Sequence, residues 1–229
     1  MSVETRLLAP TEENSGHLRI ATHETLAVHV WPIFLKSLKE DYPQIHLSLY
    51  SGRVDTIIDG VINGDYHMSV SVEPTAHPKI EKIKLYEGCF GLFAGPKRNC
   101  NLISKLKKNE ITLEELRDVP VMTDSHAHIK QGLPIPMYLA ERQIGNPLSY
   151  EVNSFEAAIR LASQGLGVAA IPIKNAEEAL KQKLIRKIDV PGVSNKDFGN
   201  YNVCASFRSD NSHLKIINII LERLKIFFE

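Results

Sequence analysis

The pattern of apolar residues predicts an α/β fold made of two Rossmann-like subdomains, each a parallel sheet covered by helices, joined by two crossover segments. Two observations carry this expectation. Short apolar runs of strand length alternate with segments of helical period along the chain. The alternation is broken at Gly95-Pro96, resumes beyond it, and ends with a return strand and a broadly apolar helix.

Leu18 to Ala21 reads as the first strand. Val28, Trp31, Leu35 and Leu38 follow at helical spacing with Phe34 on the same side. Pro32 is expected to start or kink that helix, because proline has no N–H to donate. Tyr42-Pro43 ends it, and Ile45, Leu47 and Leu49 alternate as a second strand. Val54, Ile57, Ile58, Val61 and Ile62 form an apolar helix face closed by Gly64, and Tyr66 to Val72 is the third strand. Two consecutive βαβ units are therefore predicted. Ile83 to Ala94 is extended, with Gly88 and Gly91 expected to allow bends or bulges.

Past Gly95-Pro96, Thr112 and Glu115 have the spacing of a capping box. Val119 to Met122 reads as a strand, Ile135 to Ile144 as a helix, and Tyr150 to Val152 as a lead-in. Asn153 and Glu156 suggest a second capping box, opening a helix that Gly165 stops, and Val168 to Ile171, ended by Pro172, suits a buried parallel strand. A helix over Asn175 to Lys183, a strand over Leu184 to Ile188 and a turn-rich stretch from Pro191 to Asn200 complete this half. Tyr201 to Phe207 returns as a strand. The last helix carries Ile217, Ile220, Leu221, Leu224, Phe227 and Phe228, its stripe widened by Ile216, Ile219 and Ile226, which suggests burial against the first sheet. The crossings fall near Phe93 to Pro96 and Asn202 to Ser206. The expected division is a tail over 1–15, one subdomain over 16–95 with 204–229, and a second over 96–203. Two crossings would make a hinge around a cleft.

Composition excludes several classes. The chain has 229 residues, 43% of them hydrophobic and 24% charged, with 27 Lys and Arg against 27 Asp and Glu. Charge balance leaves no footprint for nucleic acid on this chain itself. Lys105 to Lys108 is interrupted by Leu106 and followed by Glu110, a solvated helix face rather than a phosphate-binding patch. Cys89, Cys100 and Cys204 are too few and scattered for a disulfide framework. No run approaches the roughly 20 apolar residues of a spanning helix, and residues 1–15 carry Glu4, Glu12 and Glu13 without a signal-peptide core. A cytoplasmic protein with no membrane partner is expected.

Five pieces of the chain occur in a recognisable order. They are Gly16-His17-Leu18-Arg19-Ile20-Ala21, Trp31-Pro32-Ile33-Phe34-Leu35, Tyr42-Pro43-Gln44-Ile45-His46-Leu47 with Gly52 before an aliphatic helix, Ile111 to Leu116, and Asn153 to Pro172. Together they resemble the effector-binding domain of LysR-type transcriptional regulators over residues 16 to 229. The resemblance implies a periplasmic-binding-protein type II-like fold without enzymatic activity or a cofactor. It also implies a domain that senses a small molecule and controls DNA binding through a winged helix-turn-helix, which would precede Gly16 in a full-length regulator. The chain would then be a sensing domain from a longer protein, or a natural stand-alone relative.

In open parallel sheets ligands sit beyond the carboxyl ends of strands, where helix starts offer unpaired amides. That rule selects Thr22, His23, Glu24 and Thr25 after the first strand, Ser51 and Arg53 after the second, and Ser71 on the third. In the second subdomain it selects Thr123, Asp124, Ser125 and His126, with Asn153 and Ser154 entering a helix. By resemblance, Thr22 and His23 meet the effector from one subdomain, Thr123 meets it from the other, and Ser71 matches less closely. The family's effectors point to a carboxylate or amino-acid-like metabolite. Thr22, Thr25, Thr123 and Asn153 could equally be helix caps, and a single Arg53 is more often solvated.

His126-Ala127-His128, with His23, has the look of a metal cluster, yet His-x-His without a fixed third ligand does not specify zinc, and no metal is expected. Catalysis would need a nucleophile beside a base. The compact candidate is Ser125 between Asp124 and His126, which has no glycine-framed elbow. A solute-binding protein of a transporter is the remaining alternative. The resemblance further implies a homodimer or tetramer in which the helix bearing Trp31 and Phe34 meets the partner's helix bearing Phe155 and Ile159.

Overall fold

The computed structural model describes residues 16–125, 135–144, 146, 150–211 and 214–228. These form two compact units, one from 16–86 with 202–228 and one from 87–201. Among the described residues no helix is long and apolar enough to cross a membrane.

The first unit holds a sheet in the order β2-β1-β3-β8. Strand β1 (Gly16–Thr22) pairs in parallel with β2 (Ile45–Ser51) and with β3 (Met68–Val72), and β3 pairs antiparallel with β8 (Asn200–Arg208). Leu18, Ile20, Ile45, Met68 and Val70 are all buried, which explains the apolar runs read as strands.

The segment expected as a single helix is two: α1 (Glu24–His29) and α2 (Trp31–Asp41), meeting at Val30. Pro32 sits in the first turn of α2. It cannot donate to the carbonyl four residues back, and its ring crowds that carbonyl, so one continuous helix would be broken there. Trp31, Phe34 and Leu38 are buried, whereas Val28, expected on the same stripe, is 57% exposed. Trp31 and Phe34 meet edge to face at 5.3 Å, and Phe34 meets Phe227 at 5.7 Å.

Helix α3 (Val54–Asn63) ends at Gly64 in the left-handed conformation, φ 84°, as its position suggested. It packs on β1 and β3. Tyr66 lies under Gly60, where an added Cβ would fall 2.4 Å from the ring. Helix α8 (Lys215–Phe228) packs on α2 and β1 through Ile217, Ile220, Leu221 and Leu224. Its stripe is narrower than expected, with Ile226 62% exposed.

Strand β4 (Ile80–Ala94) runs for 15 residues. Gly88, expected to allow a bend or bulge, lies within it. A Cβ there would lie 2.4 Å from the Tyr201 ring, so glycine serves close packing. The end of β4 pairs antiparallel with β6 (Val168–Pro172) and with β7 (Arg186–Ile188), while β5 (Val121–Met122) runs parallel to β6. Strands β5 and β7 are shorter than the runs Val119 to Met122 and Leu184 to Ile188. Thr112 and Glu115 do form the expected capping box, each side chain bonded to the other's backbone N–H at 3.1 Å, on the single turn α4 (Leu113–Leu116). Helix α5 (Ile135–Glu141) stops before the expected Ile144.

Helix α6 (Phe155–Ser163) is capped by Ser154, not Asn153, and no side chain closes its first turn. The expected Asn153–Glu156 box does not form, and Glu156 accepts from Arg160 at 3.2 Å instead. One helical face, Phe155, Ala158, Ile159 and Ala162, is buried. Gly165 follows at φ 78°, donating to the Ala162 carbonyl at 2.9 Å. Helix α7 (Ile173–Lys181) starts directly after β6, two residues earlier than expected.

Two outcomes test this packing. A Cβ at Gly165 would stand 2.1 Å from the Asn99 carbonyl oxygen and would need a positive φ. Gly165→Ala should therefore cost about 2 kcal/mol or more, read as a lower urea midpoint. His67 accepts from the Arg19 N–H at 2.9 Å, and burial, then the positive charges of Arg19 and His17, push its pKa down to about 4 from an ordinary 6.5. Folding thus favours neutral His67. Its contribution is complete above pH 6.5 and is lost as pH falls from there toward about 4, where only the unfolded chain takes the proton. His67→Asn keeps an acceptor without the titration, so its melting temperature should fall less steeply across that window.

Candidate effector site

Within the first unit the carboxyl ends of β1, β2 and β3 lie side by side. Thr22 is in register with Ser51 on one neighbour and Val70 on the other. Thr22 is fully buried. Its hydroxyl donates to the Val70 carbonyl at 2.7 Å and accepts from the Trp31 indole N–H at 3.1 Å, while its carbonyl accepts from Gly52 N–H at 3.0 Å. One residue thus joins β1, β3, the loop after β2 and helix α2. The hydroxyl's donor is spent internally, so Thr22 has none left for a carboxylate.

Its neighbours differ. His23 precedes α1 in an extended conformation without capping it, and His23 and Thr25 are half-buried. Ser51 is exposed. Arg53 is also exposed and pairs with Asp55 at 3.3 Å, a contact that holds the Asp55 carboxyl below its usual range. Such a solvated pair contributes little to stability. Ser71 is buried, and its hydroxyl donates to the Val72 carbonyl at 3.1 Å.

In the second unit Thr123 directly follows β5. Asp124 bridges Val152 in parallel, and Ser125 N–H donates to the Val152 carbonyl at 2.8 Å. This brings Thr123, Asp124 and Ser125 alongside the chain that enters α6 through Asn153 and Ser154. Asn153 is exposed. Thr123 is only 4% exposed, and its hydroxyl has no hydrogen-bond partner. His126 and His128 lie outside the described residues, and with them the His-x-His pattern, from which no metal was expected, and the Asp124-Ser125-His126 arrangement.

Trp31, Phe34, Phe155 and Ile159 are buried within their own units. Phe155 meets Phe90 at 6.0 Å with the rings tilted by 57°. The apolar side chains that α1 and α2 turn outward are Val28 and Ile33, at 57% and 63% exposure.

Three residues near the same edge of the first unit were not singled out from the sequence. Because β8 is antiparallel to β3, its first residues lie beside the carboxyl end of β3. There the Asn202 amide Nδ2 donates to Glu73 Oε2 at 2.7 Å, and Lys82 Nζ reaches Glu73 Oε1 at 3.0 Å. The rule for parallel strands does not reach an antiparallel return strand. Only the crossing read near Asn202 to Ser206 hinted at it.

A polar strand edge beside a helix start is a place where open α/β sheets bind small molecules. The LysR substrate binding domain family matches residues 11–225. The chain belongs to this family. LysR-type relatives include SsuR of Burkholderia cenocepacia, 26% identical over 127 residues that make up 53% of this chain and 40% of that protein. CysB of Haemophilus influenzae is 28% identical over 49% of this chain and 34% of its own length. YofA of Bacillus velezensis is 21% identical over 86% and 62%. The chain thus spans less than two thirds of these relatives. Among solved LysR structures, the CrgA regulatory domain from Neisseria meningitidis superposes with a TM-score of 0.74 at 16% identity, covering 94% of this chain and 100% of that one. The regulatory domain of MetR from N. meningitidis gives 0.67 at 17%, covering 93% of each. The fold is accordingly the periplasmic-binding-protein type II-like one of LysR regulatory domains.

The Thr22 tie has a measurable consequence. Thr22→Val strands the buried indole N–H of Trp31 and should cost about 1–3 kcal/mol in denaturant unfolding. Trp31→Phe should make that cost smaller, giving a coupling of about 0.5–3 kcal/mol in a double-mutant cycle.

Proposed function

We propose that this domain senses a small-molecule effector and thereby controls DNA binding by the helix-turn-helix of a LysR-type transcriptional regulator. Family membership favours this reading over a transporter's solute-binding protein or a two-lobed enzyme. The relatives are named as HTH-type transcriptional regulators. In this reading DNA is reached through that head and not through the charge-balanced sensing domain, and the protein works in the cytoplasm without a cofactor.

The supporting observation is the Thr123 hydroxyl, buried without a partner beside the start of α6. A buried polar group left unpaired costs about 1–3 kcal/mol, a cost that a ligand able to bond it would remove. His23, Thr25, Ser51, Arg53 and Ser71 in the first unit are assigned to effector binding, and so, within the second unit, are Asp124, Ser125, His126 and Asn153. Thr22 acts there mainly by holding the strand edge in place. The effector works by binding one state of the domain better than another, since only differential affinity shifts an equilibrium. The domain acts as a homodimer or tetramer, in which α2 and α6 meet through their outward faces around the buried Trp31, Phe34, Phe155 and Ile159.

Screening small metabolites by thermal shift should find an effector that raises the melting temperature, since ligand at a hundredfold excess over Kd contributes about 2.7 kcal/mol. Thr123→Val should leave the free protein as stable or more so, and remove most of the shift. An undiminished shift would overturn the assignment of Thr123. Light scattering that found only monomer at high concentration would overturn the proposed pairing.

A further inference from the structure

Asn202 is 7% exposed, and its side-chain oxygen Oδ1 is buried with no hydrogen-bond partner. The amide cannot be turned round to remove the vacancy. Its Nδ2 donates to the Glu73 carboxylate at 2.7 Å, and a flipped amide would set oxygen against oxygen and bury an unpaired donor. Backbone geometry pins the residue as well, because the Asn202 carbonyl accepts from Glu73 N–H at 2.9 Å. Glu73 is held in turn by Lys82, which also donates to the Pro74 carbonyl at 3.1 Å. The result is a fixed acceptor. It sits at the carboxyl end of β3, on the edge that carries Thr22 and Ser51.

This atom differs in kind from the Thr123 hydroxyl. A hydroxyl donates or accepts, whereas an amide oxygen only accepts. A carboxylate or inorganic oxyanion placed against Asn202 Oδ1 would meet like partial charge. An amino group would find an acceptor.

We infer that Asn202, oriented by Glu73, receives an amino group of the effector, so that the domain takes an amine-bearing metabolite of the amino-acid type rather than a simple carboxylate. The inference rests on the proposed function, since it names the chemistry of the same effector. Asn202 is then a specificity-determining contact and Glu73 its positioning residue.

The test sets a panel of L-amino acids beside the matching carboxylic acids that lack the α-amino group, both read by thermal shift and calorimetry on the whole chain. At least one amino acid should raise the melting temperature, and its desamino partner should not. Asn202→Leu should weaken that binding at least about tenfold; it removes the orphan acceptor together with the hydrogen bond to Glu73, so its melting temperature without ligand is read beside the binding. Asn202→Ser, too short to reach the same point, supplies the comparison if the leucine variant folds poorly, and should show the same loss. Equal binding of the desamino acids would overturn the inference. So would amino-acid binding unchanged in both variants, the result expected if Oδ1 merely holds an ordered water. If only compounds without an amino group bind, the inference fails while the sensing function stands. If no small molecule binds at all, both fail.

Discussion

The carboxyl edge of the first sheet hangs on one threonine hydroxyl. Thr22 closes β1, the strand flanked by both β2 and β3, and it bonds to β3 and to α2 through its side chain and to the loop after β2 through its carbonyl. Several residues proposed for the first unit are placed by that knot. His23 and Thr25 follow it in the chain, Ser51 and Arg53 follow its register partner, and α2 is tied to it by an indole. A buried hydroxyl with two strong partners is costly to disturb, so the knot sets geometry before any ligand arrives.

Much of this was legible from residue order, and what was not has particular causes. Strand β6 was visible because a strand buried on both faces is an unbroken apolar run, and β2 because its apolar residues alternate. Gly64 and Gly165 marked helix ends because the left-handed conformation is costly for other residues. The break at Val30 was only half visible. Pro32 signalled a start or a kink, but the choice decides whether Val28 faces inward, and tertiary packing made it. Asn153 and Ser154 are both good caps, and the sequence alone does not rank them. The buried face of α6 begins at Phe155, and the helix starts there.

Polar candidates were harder to sort, because residue type does not reveal whether a hydrogen bond has already been spent. Thr22 and Thr123 look equivalent in sequence. The first has used its donor inside the unit, while the second is buried with nothing bound. Ser71 resembles Thr22 in bonding inward, and Arg53 turns out to be a solvated partner of Asp55. Asn202 stayed hidden because its position depends on the antiparallel pairing of β8 with β3, which joins residues some 130 positions apart.

The tie between Thr22 and α2 is made by Trp31, and the chain contains no other tryptophan. Tryptophan fluorescence of this chain therefore comes from a single indole, whose N–H makes its hydrogen bond at the strand edge. The molecule carries its own optical probe, set by its fold on the border between the strand edge and the helix next to it. No dye or label is needed to watch that border respond.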